Sequence, residues 1–130
     1  MSKYFGTDGI RGKAGMFTRE FLKKIVEGLR VKDKKVLIGG DTRESTEWIL
    51  KDLEEILRNS GASEVLNVGV LPTPGINYVF YEEGYDFAID VTASHNPYTD
   101  NGIKIFERGE KFGVKLGKDG RERIECMLNI

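Results

Sequence analysis

Cysteine and histidine are nearly absent from this chain, with one of each among 130 residues. A lone Cys126 excludes an internal disulfide, which fits a reducing, cytoplasmic setting. Its place in a tail of helical pattern makes it a packing residue rather than a nucleophile. With His95 the only imidazole and no cysteine pair beside it, a histidine- or cysteine-based metal centre has no ligand set. No run approaches the apolar length of a membrane span, and the first residues lack the charged-then-apolar layout of a signal peptide. Neither sign of charge dominates: 20 basic against 21 acidic residues leave a net charge of −1, and the basic ones form no long block. Nucleic acid, which calls for a basic stripe, is therefore not an expected partner, nor is a membrane. Internal repeats, Pro/Gly/Ser linkers and low-complexity tracts are also missing. No boundary divides the chain, and residues 1–130 suit a single domain.

What the chain does have is a regular alternation of β-like runs and helical patterns, the sequence form of an α/β layered sheet. Thr18 is placed to cap a helix whose Phe21, Leu22, Ile25, Val26 and Leu29 keep one face, with Glu20 favourable in the first turn. Residues 35–40 read as a short central strand. Asp41 is placed to cap the next helix with Glu44 as its reciprocal partner. That helix puts Ile49, Leu53, Ile56 and Leu57 on one stripe, and Gly61 suits a left-handed end. Residues 64–70 make the next strand. Pro74 then starts a shorter helix, with Ile76, Val79 and Phe80 facing the core and a stop near Gly84. Strands at 87–91 and 103–106 follow, then a Gly- and Lys-rich segment, 107–119, that reads as a mobile loop or hairpin. Residues 121–130 form the start or whole of a last helix. The expected architecture is a three-layer α/β/α sandwich with about four core strands.

The chemistry gathers in residues 92–104, where one short loop holds a hydroxyl, an imidazole and an ammonium: Ser94, His95 and Lys104. The loop leaves the apolar run that ends at Val91, and in open α/β sheets ligands collect at the carboxyl ends of strands. Read from the residues alone, Ser94 is either a turn or cap residue or a nucleophile. His95 does not make a Ser-His hydrolase dyad, because neighbours in an extended chain point to opposite sides and no GxSxG elbow is present. It is otherwise a loop histidine satisfying backbone groups. Alternation in the last strand sends Ile103 and Ile105 to one face and Lys104 and Phe106 to the other. Lys104 is thereby committed to a direction. Arg11 stands among Gly6, Gly9 and Gly12, where glycines let the backbone approach an anion, although the pattern is neither a P-loop nor a dinucleotide fingerprint. Both cations are otherwise ordinary surface charges. Asp90, just before Val91, is a carboxylate in a buried strand and needs a partner.

Four segments resemble, in order, those of the α-D-phosphohexomutases, enzymes that move phosphate between two hydroxyls of one sugar. They are Tyr4-Phe5-Gly6-Thr7-Asp8-Gly9-Ile10-Arg11-Gly12, Gly40-Asp41-Thr42-Arg43, Pro72-Thr73-Pro74, and the TASHNP and NGIK signatures within residues 92–104. The first and last are most similar to the phosphoglucosamine mutase branch. The resemblance implies a mixed sheet containing an antiparallel strand. It implies that Ser94 carries a phosphoryl group, that Arg11 and Lys104 stabilise charge on it with Lys104 a candidate general acid/base, and that His95 donates a hydrogen bond nearby. Asp8, Asp41 and Arg43 become supporting candidates around the serine loop. Magnesium is the implied cofactor; Ser94, through its phosphate, supplies one ligand and carboxylates of a second domain supply the rest, so binding to this chain is weak. The family's DGDGDR-like metal loop, GExSG-like sugar loop and RxSGTEP-like phosphate clamp are missing. The resemblance therefore covers the family's first domain, with a phosphosugar substrate and the remaining mutase domains as partners. Turnover by this chain alone is expected to be negligible, and its functional face is expected to favour self-association. A phosphomannomutase or phosphoglucomutase domain, or a phosphate-binding module without turnover, are the alternatives.

Overall fold

The computed structural model describes residues 3–6, 9–109 and 113–130. In chain order these form β1 (Phe5–Gly6), β2 (Gly9–Lys13), a 3-10 turn (Ala14–Met16), α1 (Arg19–Leu29), β3 (Lys35–Gly40), α2 (Glu44–Asn59) and β4 (Glu64–Val70). Then come α3 (Thr73–Glu82), β5 (Phe87–Val91), β6 (Asp100–Arg108), β7 (Gly113–Lys115) and α4 (Lys118–Leu128). The sheet runs β1-β2-β6-β5-β3-β4, with β7 also on β6. Its centre is parallel, β3 lying between β4 and β5, while β6 pairs antiparallel with β5 and with β2.

Helices cover both faces. Alternation sends Val36, Ile38, Ile89, Val91, Ile103 and Ile105 into the larger core with α1, α2 and α4. The opposite face packs Leu37 and Ala88 against Ile76 and Phe80 of α3. This is the three-layer sandwich expected, with its antiparallel strand. The Thr18 hydroxyl accepts from the Phe21 amide at the start of α1, and Gly61 closes α2 with φ +91°.

Three readings need correction. Among the described residues the sheet has seven strands rather than about four. The additional β1, β2 and β7 are short and rich in glycine and charge, so their alternation is faint; they become strands by pairing with each other and with the edge of a longer β6. Asp41 is not the α2 cap. Arg43 holds that position without a side-chain cap bond, because the Asp41 carboxylate is taken up by Arg43, Thr46 and Thr92. Cys126 is exposed: on α4 the four-residue spacing of buried Ile124 and Leu128 defines the inward stripe and leaves Cys126 off it. The hairpin expected in residues 107–119 is present, with β7 turning back on β6. Residues 110–112 of that segment and Asp8 lie outside the described residues.

Candidate active site

The turn after β5 carries Ser94 out at the carboxyl end of the parallel strands, in a left-handed conformation with φ +50°. That region disfavours an L-residue other than glycine by about 1–2 kcal/mol, so contacts elsewhere must hold it. The contacts are visible. Arg43, only 6% exposed, extends its guanidinium under the loop. Nη2 donates to the Ser94 carbonyl at 2.8 Å, and Nη1 to the carbonyls of Asn96 at 3.0 Å, Pro97 at 2.6 Å and Asp100 at 3.4 Å. Nε donates to Asp41 at 2.9 Å. Asp41 is itself fixed by the Arg43 amide and by the hydroxyls of Thr46 and Thr92. Burial acts to raise the Asp41 carboxyl, but these hydrogen bonds together outweigh it and hold the group below its ordinary value.

Two cations converge on the serine from different strands. Arg11 Nη2 donates to Ser94 Oγ at 3.3 Å and Lys104 Nζ donates to the same oxygen at 3.2 Å. Their meeting follows from register. Arg11 of β2 lies opposite Gly102 of β6, two residues from Lys104, while Ile10, Ile103 and Ile105 point into the core behind them. A Cβ on Gly102 would meet the Thr92 carbonyl at 2.6 Å and the Arg11 side chain at 3.0 Å. Arg11 Nη1 also donates to Asn96 Oδ1 at 3.5 Å, and Asn96 donates to Asp100 at 3.2 Å. His95 is exposed in the same loop, and no hydrogen bond of its side chain ties it to Ser94.

Ser94, Arg11 and Lys104 are thus brought together, and His95 stands beside them without a shared contact. Sequence reasoning set Arg43 among the supporting residues but gave no sign of its five side-chain bonds. It missed Thr92, whose hydroxyl accepts from the Ser94 amide at 3.2 Å, and buried Asn101, which donates to Ser45 and Thr46. The polar run in residues 92–101 was the available signal; which atoms it meets depends on α2, some fifty residues earlier. A hydroxyl with two converging cations suits a tetrahedral dianion bonded to Oγ. Among the described residues no group of three His, Cys, Asp or Glu side chains is placed to hold a metal ion, and the neighbours of Ser94 Oγ are cations. The described residues around Ser94 do not by themselves fit a complete magnesium site.

Similarity to known proteins identifies the family. The family profile for phosphoglucomutase/phosphomannomutase, alpha/beta/alpha domain I, matches residues 2–129. The chain is 42% identical over 132 residues to a phosphoglucosamine mutase of Koribacter versatilis (strain Ellin345), covering 95% of this chain and 28% of that protein. It is 45% identical over 134 residues to one of Marinomonas sp. (strain MWYL1), covering 98% and 29%. Among solved structures, a Thermus thermophilus protein with a provisional phosphomannomutase name superposes with a TM-score of 0.77 at 27% identity, covering 98% of this chain and 30% of that one. The Paramecium phosphoglucomutase pp63/parafusin does so with a TM-score of 0.73 at 28% identity, covering 98% and 26%. The chain spans less than a third of the length of each relative. It belongs to the phosphoglucomutase/phosphomannomutase family and corresponds over nearly its whole length to that family's α/β/α domain I.

Proposed function

We propose that this chain is the serine-bearing domain of a phosphohexomutase, with Ser94 carrying the phosphoryl group exchanged between the 6- and 1-hydroxyls of a hexose. The observation that carries the proposal is the convergence of Arg11 and Lys104 on Ser94 Oγ. In the forward half-reaction a sugar hydroxyl attacks the phosphorus of phospho-Ser94 in line and gives up its proton to solvent, the P–Oγ bond breaks, and Oγ leaves with the electron pair. Lys104, already a donor to Oγ, is placed to protonate it, while Arg11 stabilises the phosphoryl oxygens. In the second half the same Oγ takes a phosphoryl group from the other end of the sugar and returns its proton. Covalent storage splits one transfer between distant hydroxyls into two. His95 is the further donor toward the phosphate in this reading.

Glucosamine phosphate is the sugar this proposal favours, because relatives above 40% identity are named phosphoglucosamine mutase. Magnesium, when bound, neutralises charge on the transferring group; this chain's contribution to it is an oxygen of phospho-Ser94, with carboxylates from outside this sequence as the other ligands. The remaining mutase domains are the partners, the setting is cytoplasmic, and residues 1–130 alone have negligible turnover. No helix among the described residues is long and apolar enough to cross a membrane.

The test joins residues 1–130 to the remainder of the Marinomonas enzyme and measures conversion of glucosamine 6-phosphate after priming with the 1,6-bisphosphate. Phosphoryl mass mapped to Ser94, with conversion lost in Ser94→Ala, is the expected outcome. Conversion that survives Ser94→Ala overturns the proposal.

A further inference from the structure

Asp90 is a carboxylate in the middle of the fold that the chemistry above does not use. It is 1% exposed. A buried carboxylate is destabilising unless something on the molecule needs it there. Its surroundings are few and specific. From α3, the Thr73 hydroxyl donates to Asp90 Oδ2 at 2.6 Å. From β6, Lys104 stands directly opposite it in the antiparallel register, so the two side chains leave the same face of the sheet with their Cβ atoms about 5 Å apart. From the end of β3 comes the Asp41 carboxylate, of like charge and neutralised by Arg43. Lys104 is thus the cation on the strand beside Asp90, and its ammonium reaches Ser94 Oγ.

We propose that Asp90 is a positioning residue for Lys104, its Thr73-anchored carboxylate drawing the ammonium over β5 and so toward the Ser94 hydroxyl. A lysine side chain has four rotatable bonds, and a half-exposed one scatters into water unless a fixed anion restrains it. The carboxylate supplies that restraint from the facing position on β5, while the ammonium keeps its bond to Ser94 Oγ. Burial raises the Asp90 carboxyl above its ordinary value, against the lowering influence of the Thr73 hydrogen bond and the Lys104 charge. Its negative charge therefore forms later on a rising pH scale than that of an exposed aspartate. The importance of the positioning rests on the mutase reading of Lys104, but the positioning itself is measurable without turnover.

The experiment follows the Lys104 ammonium by proton-detected nitrogen NMR in the 130-residue chain, with the Asp90 carboxyl carbon titrated in the same samples. As Asp90 loses its proton, the Lys104 ammonium signal should sharpen and its hydrogen exchange slow several-fold. Asp90→Asn keeps an acceptor for Thr73 and removes the charge. It should abolish the pH-dependent ordering, with the fold and the Thr73 tether intact. If Asp90 served only to tether α3, Asp90→Asn would leave Lys104 as ordered as in the native chain, and that result overturns the proposal. The native titration needs no variant, so Lys104 signals that ignore the Asp90 titration overturn it equally. Loss of mutase activity without any change in Lys104 would count against the positioning and leave the mutase reading standing.

Discussion

Replacing Arg43 should unfasten the serine loop while leaving the rest of the sandwich in place. Its guanidinium makes one bond to Asp41 and four to carbonyls of Ser94, Asn96, Pro97 and Asp100. Hydrogen bonds to a charged group contribute roughly 1.5–3 kcal/mol each, but a plain sum overstates the loss. Ser94 and Pro97 are exposed, so the loop carbonyls regain water, and Asp41 keeps its two threonine hydroxyls. The Arg43 side chain is 5% exposed and that of Asp41 29%, which places the pair among the partly buried ones. Truncation to Met should therefore weaken the fold by about 3–5 kcal/mol. Arg43→Lys keeps the charge but offers one nitrogen where the guanidinium presents a planar fork, and recovers only part of it. Locally the effect is sharper. Holding Ser94 in the left-handed region opposes about 1–2 kcal/mol of strain, comparable with the single bond from Nη2, so the loop relaxes once that bond goes. Urea denaturation gives the global number. Exchange of the Asn96 and Asp100 amides, bonded to the Ala93 and Pro97 carbonyls, gives the local one; about 3 kcal/mol of loosening is roughly a hundredfold faster exchange. Native-like exchange at both amides in Arg43→Met, with stability within about 1 kcal/mol of wild type, would refute the reasoning.

Three further outcomes follow. Asp41 has a lowered carboxyl in the fold, so it contributes stability above its ordinary value of 3.8 that is lost as pH falls through the lower folded value; Asp41→Asn should be weaker than wild type at pH 7, with the gap closing below pH 3.8 in denaturation curves, and a pH-independent gap would contradict this. Gly28 on α1 faces α4 so closely that a Cβ would sit 2.7 Å from the Ile124 Cα, so Gly28→Ala should lose about 1–3 kcal/mol by calorimetry, and an unchanged melting temperature would mean that the helices separate freely. A phosphate on Ser94 adds about −1.5 to −2 charge beside Arg11 and Lys104, so residues 92–104 should exchange more slowly in the phosphorylated chain; equal protection would remove both cations from the catalytic assignment.

The sequence alone determined what neighbouring residues encode. Strands at 35–40, 64–70 and 87–91 stand where the apolar runs place them, the Thr18 cap and the Gly61 stop hold, and the serine loop opens at a strand end. Propensity, periodicity and turn chemistry act over a few residues, and a local reading recovers them. Alternation even gave the face of Lys104. It could not say that Arg11, 83 residues before Ser94, reaches the same oxygen, since that depends on β2 finding the edge of β6 and on a register that sets Arg11 opposite Gly102. The same holds for Asp41, whose carboxylate left the helix cap for Arg43 and Thr92, and for the seven-stranded count, which needed β6 to recruit short segments without a pattern of their own. Tertiary structure decided these because a charged side chain settles on the partners that packing brings within about 3 Å, and sequence distance does not enter that choice.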